Sequence, residues 1–147
     1  MRVSAKGEYA IKASLDLALH EREGLQPIQE IAARQGIPQR YLEQVLLQLK
    51  RAGLLQSRRG SAGGYRLGRP TDQVTVGAVL RAVEGTIVGA EPARRGGRHS
   101  GEQTEDLSDL WKEISGAVST VVDRVTLEDL RRRAEERRAR ASPMYHI

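Results

Sequence analysis

The segment from Pro27 to Leu67 constrains the fold more than any other part of the chain, because it holds two short helical periods followed at once by a hairpin pattern. Pro27 suits a first helical turn, and Ile28, Ile31 and Ala32 mark the buried stripe that follows. Gly36, within Gln35-Gly36-Ile37, stands where a tight turn between helices needs a residue tolerant of positive φ. Pro38 opens the second period, which buries Leu42, Val45, Leu46 and Leu49 at i, i+3, i+4 and i+7 and stops at Gly53 after Lys50 and Arg51. A small residue at Ala32 lets the two helices approach, which makes this a helix-turn-helix pattern. Leu54-Leu55-Gln56-Ser57 and Tyr65-Arg66-Leu67 then read as strands joined by the basic, glycine-rich Arg58-Arg59-Gly60-Ser61-Ala62-Gly63-Gly64. A helix-turn-helix followed by such a hairpin is a winged helix.

The flanking segments complete that unit. Ser4 is placed to cap a first helix that ends before Gly24, and its apolar residues occupy more than one face, so it is expected to be largely buried. After a turn at Gly68–Asp72, Val74 or Thr75 leads into a short helix, Val76 to Val83. Gly89 to Glu105 has almost no apolar content and reads as a loop. From Asp106 onward Leu107, Leu110, Trp111, Ile114, Val118, Val121, Val122 and Val125 recur at threes and fours. That stripe is too long for a small core to cover, so a second copy is its expected cover and a symmetric dimer is predicted. Thr126 caps a strongly charged helix with Glu128 and Arg132 at i, i+4, expected to be solvated. The expected architecture is mainly α with a small β-hairpin wing: a winged helix-turn-helix domain over 1–85, a flexible loop over 86–105, and a long dimerisation helix with a C-terminal helix and tail over 106–147.

Composition removes most other chemistry. The 147 residues fit one compact core, and none is cysteine, which excludes disulfides, thiolate metal sites, thiolate-held iron–sulfur clusters and a cysteine nucleophile. His20, His99 and His146 are far apart, so no metal is expected, and no cofactor. Neither a glycine-rich nucleotide loop nor a nucleophile elbow is present, and no acid, base and nucleophile set assembles, so the chain does not read as an enzyme. No apolar run approaches a membrane span, and Met1 to Gly7 lacks the apolar stretch of a secretory signal, so a cytoplasmic protein is expected. Residues 1–70 carry 12 Lys/Arg against 6 Asp/Glu, whereas 71–147 carry 12 against 13. The first half therefore carries +6 and the second −1, so all of the excess behind the overall +5 lies in the first half, as on a surface that faces phosphates.

A recognition helix presents its N-terminal, outward side chains to the major groove, and here these are Gln39, Arg40, Tyr41, Glu43 and Gln44. Gln matches adenine, Arg guanine and Glu the cytosine amino group, while Tyr41 can serve a phosphate instead. Arg58 and Arg59 before Gly60 suit a narrow minor groove, and Arg2, Ser4 and Lys6 at a helix N-terminus are candidate phosphate contacts. The bland reading of all these residues is a solvated surface, and the rival function is a winged-helix module that binds protein and not DNA. The basic first half and the wing arginines favour double-stranded DNA.

MRVSAKGEYAIKASLDLA, IPQRYLEQVLLQLKRAGLLQSRRGSAGGYRLG and TVGAVLRAVEG resemble the first helix, the helix-turn-helix with wing, and the next helix of the bacterial Rrf-two family of winged-helix regulators. Tyr41-Leu42-Glu43-Gln44 and Arg59-Gly60 with Gly63-Gly64-Tyr65 are the most specific marks. The resemblance implies a homodimeric, sequence-specific DNA-binding transcription regulator, a repressor by expectation, with Glu43 and Gln44 reading bases and Arg59 in the wing. Members that sense through an iron–sulfur cluster carry three cysteines before the long helix; here that stretch, Gly89 to Glu105, has none. Among the cysteine-free members, Thr126-Leu127-Glu128-Asp129-Leu130 and the ending Met144-Tyr145-His146-Ile147 resemble the branch that regulates cysteine metabolism. Cysteine synthase binds partner tails ending in isoleucine, so the resemblance implies docking of Tyr145, His146 and Ile147 into that enzyme; packing of the tail on its own dimer fits the same residues.

Overall fold

The structure, a computed structural model, describes residues 3–85 and 102–141. Arg2, the part of the expected loop from 86 to 101, and the tail residues Tyr145, His146 and Ile147 lie outside the described residues. Within them the order is α1 (Ala5–Leu19), α2 (Ile28–Gln35), α3 (Gln39–Arg51), β1 (Leu55–Arg58), β2 (Gly64–Leu67), α4 (Val76–Glu84), α5 (Glu102–Arg124) and α6 (Leu127–Ala141). No helix among them is long and apolar enough to cross a membrane.

Helix α1 is the spine of the fold. Ser4 caps it, its Oγ accepting the Gly7 N–H at 3.1 Å, which satisfies one of the otherwise orphaned first-turn donors. Its small residues Gly7, Ala10, Ala13 and Ala18 are buried and let α2, α3, α4 and α6 all pack against it. A single 3-10 turn, Glu21–Glu23, follows the helix before Gly24.

The expected turn between α2 and α3 forms for the expected reason. Gly36 takes the left-handed conformation (φ 62°, ψ 35°), and the Ile37 N–H donates back to the Ala32 carbonyl at 3.0 Å while Ile37 inserts into the core. Leu42, Val45, Leu46 and Leu49 of α3 are all buried, against Ile31, Leu17 and Val79.

The wing departs slightly from expectation. Leu54 is not its first strand residue: its N–H closes α3 by donating to the Leu49 carbonyl (3.0 Å), and its own carbonyl accepts the Gly68 N–H (2.9 Å). The ladder therefore starts one residue later and runs antiparallel, with Leu55 opposite Leu67, Gln56 opposite Arg66, Ser57 opposite Tyr65 and Arg58 opposite Gly64. Gln26 adds a third line, exchanging backbone hydrogen bonds with Tyr65 at 2.8 and 2.9 Å. Gly64 (φ 150°) fits there because any Cβ would collide with the Gln26 carbonyl.

Helices α4 to α6 correct four expectations. Helix α5 begins at Glu102, so residues 102–105 are helical and not loop; charged side chains are good helix formers when one face downstream is apolar. Helix α4 extends to Glu84, one residue beyond Val83. Helix α6 is charged but not simply solvated: Leu127 is fully buried in the main core and Leu130 packs against it. The joint before α6 is stitched down, with Val76 N–H donating to the Val125 carbonyl and Leu127 N–H to the Val74 carbonyl, both at 2.9 Å. Thr126 does cap α6, in a reciprocal arrangement: its Oγ1 accepts the Asp129 N–H (3.1 Å) and its N–H donates to Asp129 Oδ2 (2.9 Å). Glu128 pairs at i, i+3 with Arg131 (2.6 Å) and accepts the Thr71 hydroxyl (2.6 Å), while Arg132 pairs with Asp129, so the expected Glu128–Arg132 pair does not form.

Candidate nucleic-acid interface

The four buried positions of α3 put the opposite face of that helix in solvent, and Gln39, Arg40, Tyr41, Glu43 and Gln44 are all exposed there. Tyr41 is 58% exposed, consistent with a side chain at the flank and not in the core. Pro38 precedes the first turn of the helix, and it provides no side-chain hydrogen bond to the backbone donors there. Farther along the same face lie Leu47, Lys50 and Arg51, all exposed and all missed by a reading confined to the helix N-terminus. Helical spacing alone contained that signal.

The wing supplies the second group. Arg58 ends β1, and Arg59 and Gly60 follow at the tip; all three are exposed. The tip is closed by the Gly63 N–H donating to the Gly60 carbonyl at 3.0 Å, and a Cβ on Gly63 would strike the Arg58 carbonyl, so the two sides of the loop are tightly apposed. Between the wing and the end of α3 lies an open cleft of about 400 Å³ bordered by Leu25, Lys50, Ser57, Arg58 and Arg66. It has three cations and no carboxylate in its lining, an arrangement suited to a phosphodiester strand. Arg66 is steadied by donating from Nε to Gln56 Oε1 at 3.1 Å.

What orients helix-turn-helix and wing together is a polar cluster not anticipated from the sequence. Asp16, fully buried on α1, accepts from Arg34 Nε (2.9 Å), Arg34 Nη2 (2.7 Å) and Gln35 Nε2 (3.0 Å), both partners at the end of α2. Arg34 Nη2 also donates to Gln26 Oε1 (2.8 Å), whose backbone pairs with the wing at Tyr65. The hydrogen bond to the Asp16 carboxylate holds the Arg34 guanidinium above its usual pKa, with burial acting the other way. One buried carboxylate thus ties α1, the turn and the wing.

The remaining candidates lie elsewhere. Ser4 is exposed with its oxygen engaged in capping, and Lys6 is half-buried; both lie at the α1 terminus, where Gly7 abuts Glu84 of α4. They are on a different element from the recognition helix and the wing. On α5, Leu107, Leu110, Trp111 and Val121 are exposed and Ile114, Val118 and Val122 are half-buried, so none of the seven is fully covered within one chain.

Comparison with known proteins agrees with this geometry. Residues 3–133 match the family model Rrf2, described as "Iron-dependent Transcriptional regulator". The chain is 39% identical over 130 residues to the HTH-type transcriptional regulator IscR of Aliivibrio salmonicida, covering 88% of this chain and 77% of that protein, and 40% identical to IscR of Erwinia tasmaniensis. Among solved structures it is similar to CymR, the global cysteine regulator of B. subtilis (TM-score 0.73, 35% identity, covering 89% of this chain and 96% of that one), and to T. potens IscR (TM-score 0.75, 34% identity, covering 92% and 90%). The iron of the family description finds no matching donor set: the sequence has no thiolate to offer, and no group of three or more His, Asp or Glu side chains converges among the described residues. The match along nearly the whole chain and the shared winged-helix architecture place this chain in the Rrf2 family of DNA-binding transcriptional regulators.

Proposed function

We propose that the protein is a homodimeric repressor that reads a palindromic operator with Gln39, Arg40, Tyr41, Glu43 and Gln44 in the major groove and with Arg58, Arg59 and Gly60 in the flanking minor groove. Arg2, Ser4 and Lys6 contribute backbone contacts. The observation that carries the reading is the exposure of these polar side chains around the part of α3 that lies away from its buried stripe, with Arg40 and Gln44 directly opposite it, beside a wing rich in arginine. A second copy covers Leu107, Leu110, Trp111, Ile114, Val118, Val121 and Val122 of α5, and the dimer's twofold axis then relates two recognition helices to two half-sites. Occupying a site of that length near a promoter excludes polymerase. Sedimentation of the purified protein, together with transcription in vitro from a bound promoter, tests both parts: a dimer that lowers transcript yield supports them, and a monomer, or activation, contradicts them.

The same reading extends to physiology. Likeness to a global cysteine regulator and the absence of cysteine in this sequence support control of sulfur metabolism through a protein partner and not through a bound cluster. Cysteine synthase is that partner, capturing Tyr145, His146 and Ile147 by the terminal carboxylate. Pull-down by cysteine synthase of the full chain, but not of a chain lacking Ile147, is the expected result; equal capture of both, or of neither, contradicts it.

A further inference from the structure

Helix α3 carries one large apolar side chain on its outward face. Leu47 is 44% exposed, while Leu42, Val45, Leu46 and Leu49 are at most 1% exposed. At about 100° per residue, Arg40, Gln44, Leu47 and Arg51 fall in one row at i, i+4, i+7 and i+11, diametrically opposite the buried stripe. Leu47 is therefore not a core residue that has slipped to the edge; it sits in the outward row, between Gln44 and Arg51.

We infer that Leu47 is a specificity-determining residue that packs on the 5-methyl group of a thymine in each half-site; this rests on the DNA-reading role proposed for α3. Two observations favour a base over a protein as its occupant. Arg40 precedes it and Lys50 and Arg51 follow it, all exposed, so the row is cationic at both ends as a phosphate-lined groove requires. One isolated leucine is also far smaller than the apolar patch a protein partner needs. In the major groove the thymine methyl is the apolar group that distinguishes base pairs, and leucine has no hydrogen bond to offer any other edge. Burying one methyl changes affinity by about fourfold.

The test uses the full-length protein, operator sites obtained by selection from random DNA, and binding to versions of a site in which each thymine is replaced in turn by uracil, which lacks only the methyl group. The expected result is about fourfold weaker binding at one thymine per half-site. Leu47→Ala should bind the thymine and uracil forms equally at that position, and Arg59→Ala should weaken both while preserving their ratio. Indifference of the unaltered protein to every thymine, half-sites without thymine, or an unchanged ratio in Leu47→Ala overturns the inference while leaving DNA reading intact. Failure to select any sequence overturns the DNA-reading role and the inference with it.

Discussion

Asp16 of α1 and Arg34 of α2, 18 residues apart, form a two-point ion pair at 2.9 and 2.7 Å, with the Asp16 side chain sealed from solvent and the Arg34 side chain 29% exposed. Because Arg34 also reaches Gln26, and Gln26 pairs with Tyr65, the pair fixes the approach of the recognition unit to the wing. Its contribution lies in geometry, since a charge held in the interior stabilises only while its partner stays in place.

Arg34→Met leaves the Asp16 carboxylate buried with one side-chain donor, Gln35, and should cost about 3 kcal/mol in urea unfolding. Asp16→Asn should cost less, because the amide can keep part of the network without a buried charge. Equal, small effects of both changes would mean that water satisfies Asp16 when Arg34 is absent.

Gly64→Ala places a Cβ against the Gln26 backbone carbonyl at a φ of 150°, so the wing must move away from Gln26. A loss of about 2 kcal/mol is expected, with DNA affinity falling more than for Ala62→Ser at the exposed tip. Thermal unfolding and DNA titration of both variants check this.

Acid should loosen the C-terminal helices first. The Arg131 guanidinium and then the Thr71 hydroxyl hold Glu128 below the usual carboxylate range, the Thr126 N–H does so for Asp129, and Arg81 does so for Asp123. A carboxylate with a depressed folded-state pKa contributes stability that is present above its unfolded value and lost as pH falls through the folded one, so the loss should set in below about pH 4. The melting-temperature gap between the unaltered protein and Glu128→Gln should be present at pH 7 and close as pH drops below that point. A gap independent of pH would assign the effect to packing.

Trp111→Glu puts a charge in the middle of the α5 stripe, where Trp111 is already 43% exposed in one chain. The variant should stay folded, lose the dimer in sedimentation, and lose cooperative binding to a palindrome while keeping weak binding to a half-site. A dimer that survives this change would locate the interface elsewhere.

Local rules made much of this fold legible. Ser4, Gly36, Thr75 and Thr126 act at the helix ends where their chemistry places them, and the i, i+3, i+4, i+7 spacing identifies the buried face of α3. Tertiary partners were less legible. Asp16 is a lone acid in an apolar helix, and nothing near it in sequence marks Arg34 as its partner. Leu127 lies in a charge-rich segment, and its burial depends on the Thr75–Thr126 bridge that no local pattern encodes. The candidate interface was half legible: the recognition turn and the wing tip announce themselves by residue type, whereas Leu47, Lys50, Arg51 and Arg66 emerge only when the exposed faces are laid out together.

The most direct measurement is retention of genomic DNA fragments by the purified protein at two salt concentrations, with the retained fragments sequenced, for the unaltered chain, Glu43→Ala and Arg59→Ala. The account predicts a small set of palindromic sites whose retention weakens with salt. Glu43→Ala should relax the sequence preference by about 1–3 kcal/mol at one position. Arg59→Ala should weaken binding to all sites and lower the salt slope by about 1. Indiscriminate retention, or a set of sites unchanged by both substitutions, would contradict the assignment of α3 and the wing as the surface that reads DNA.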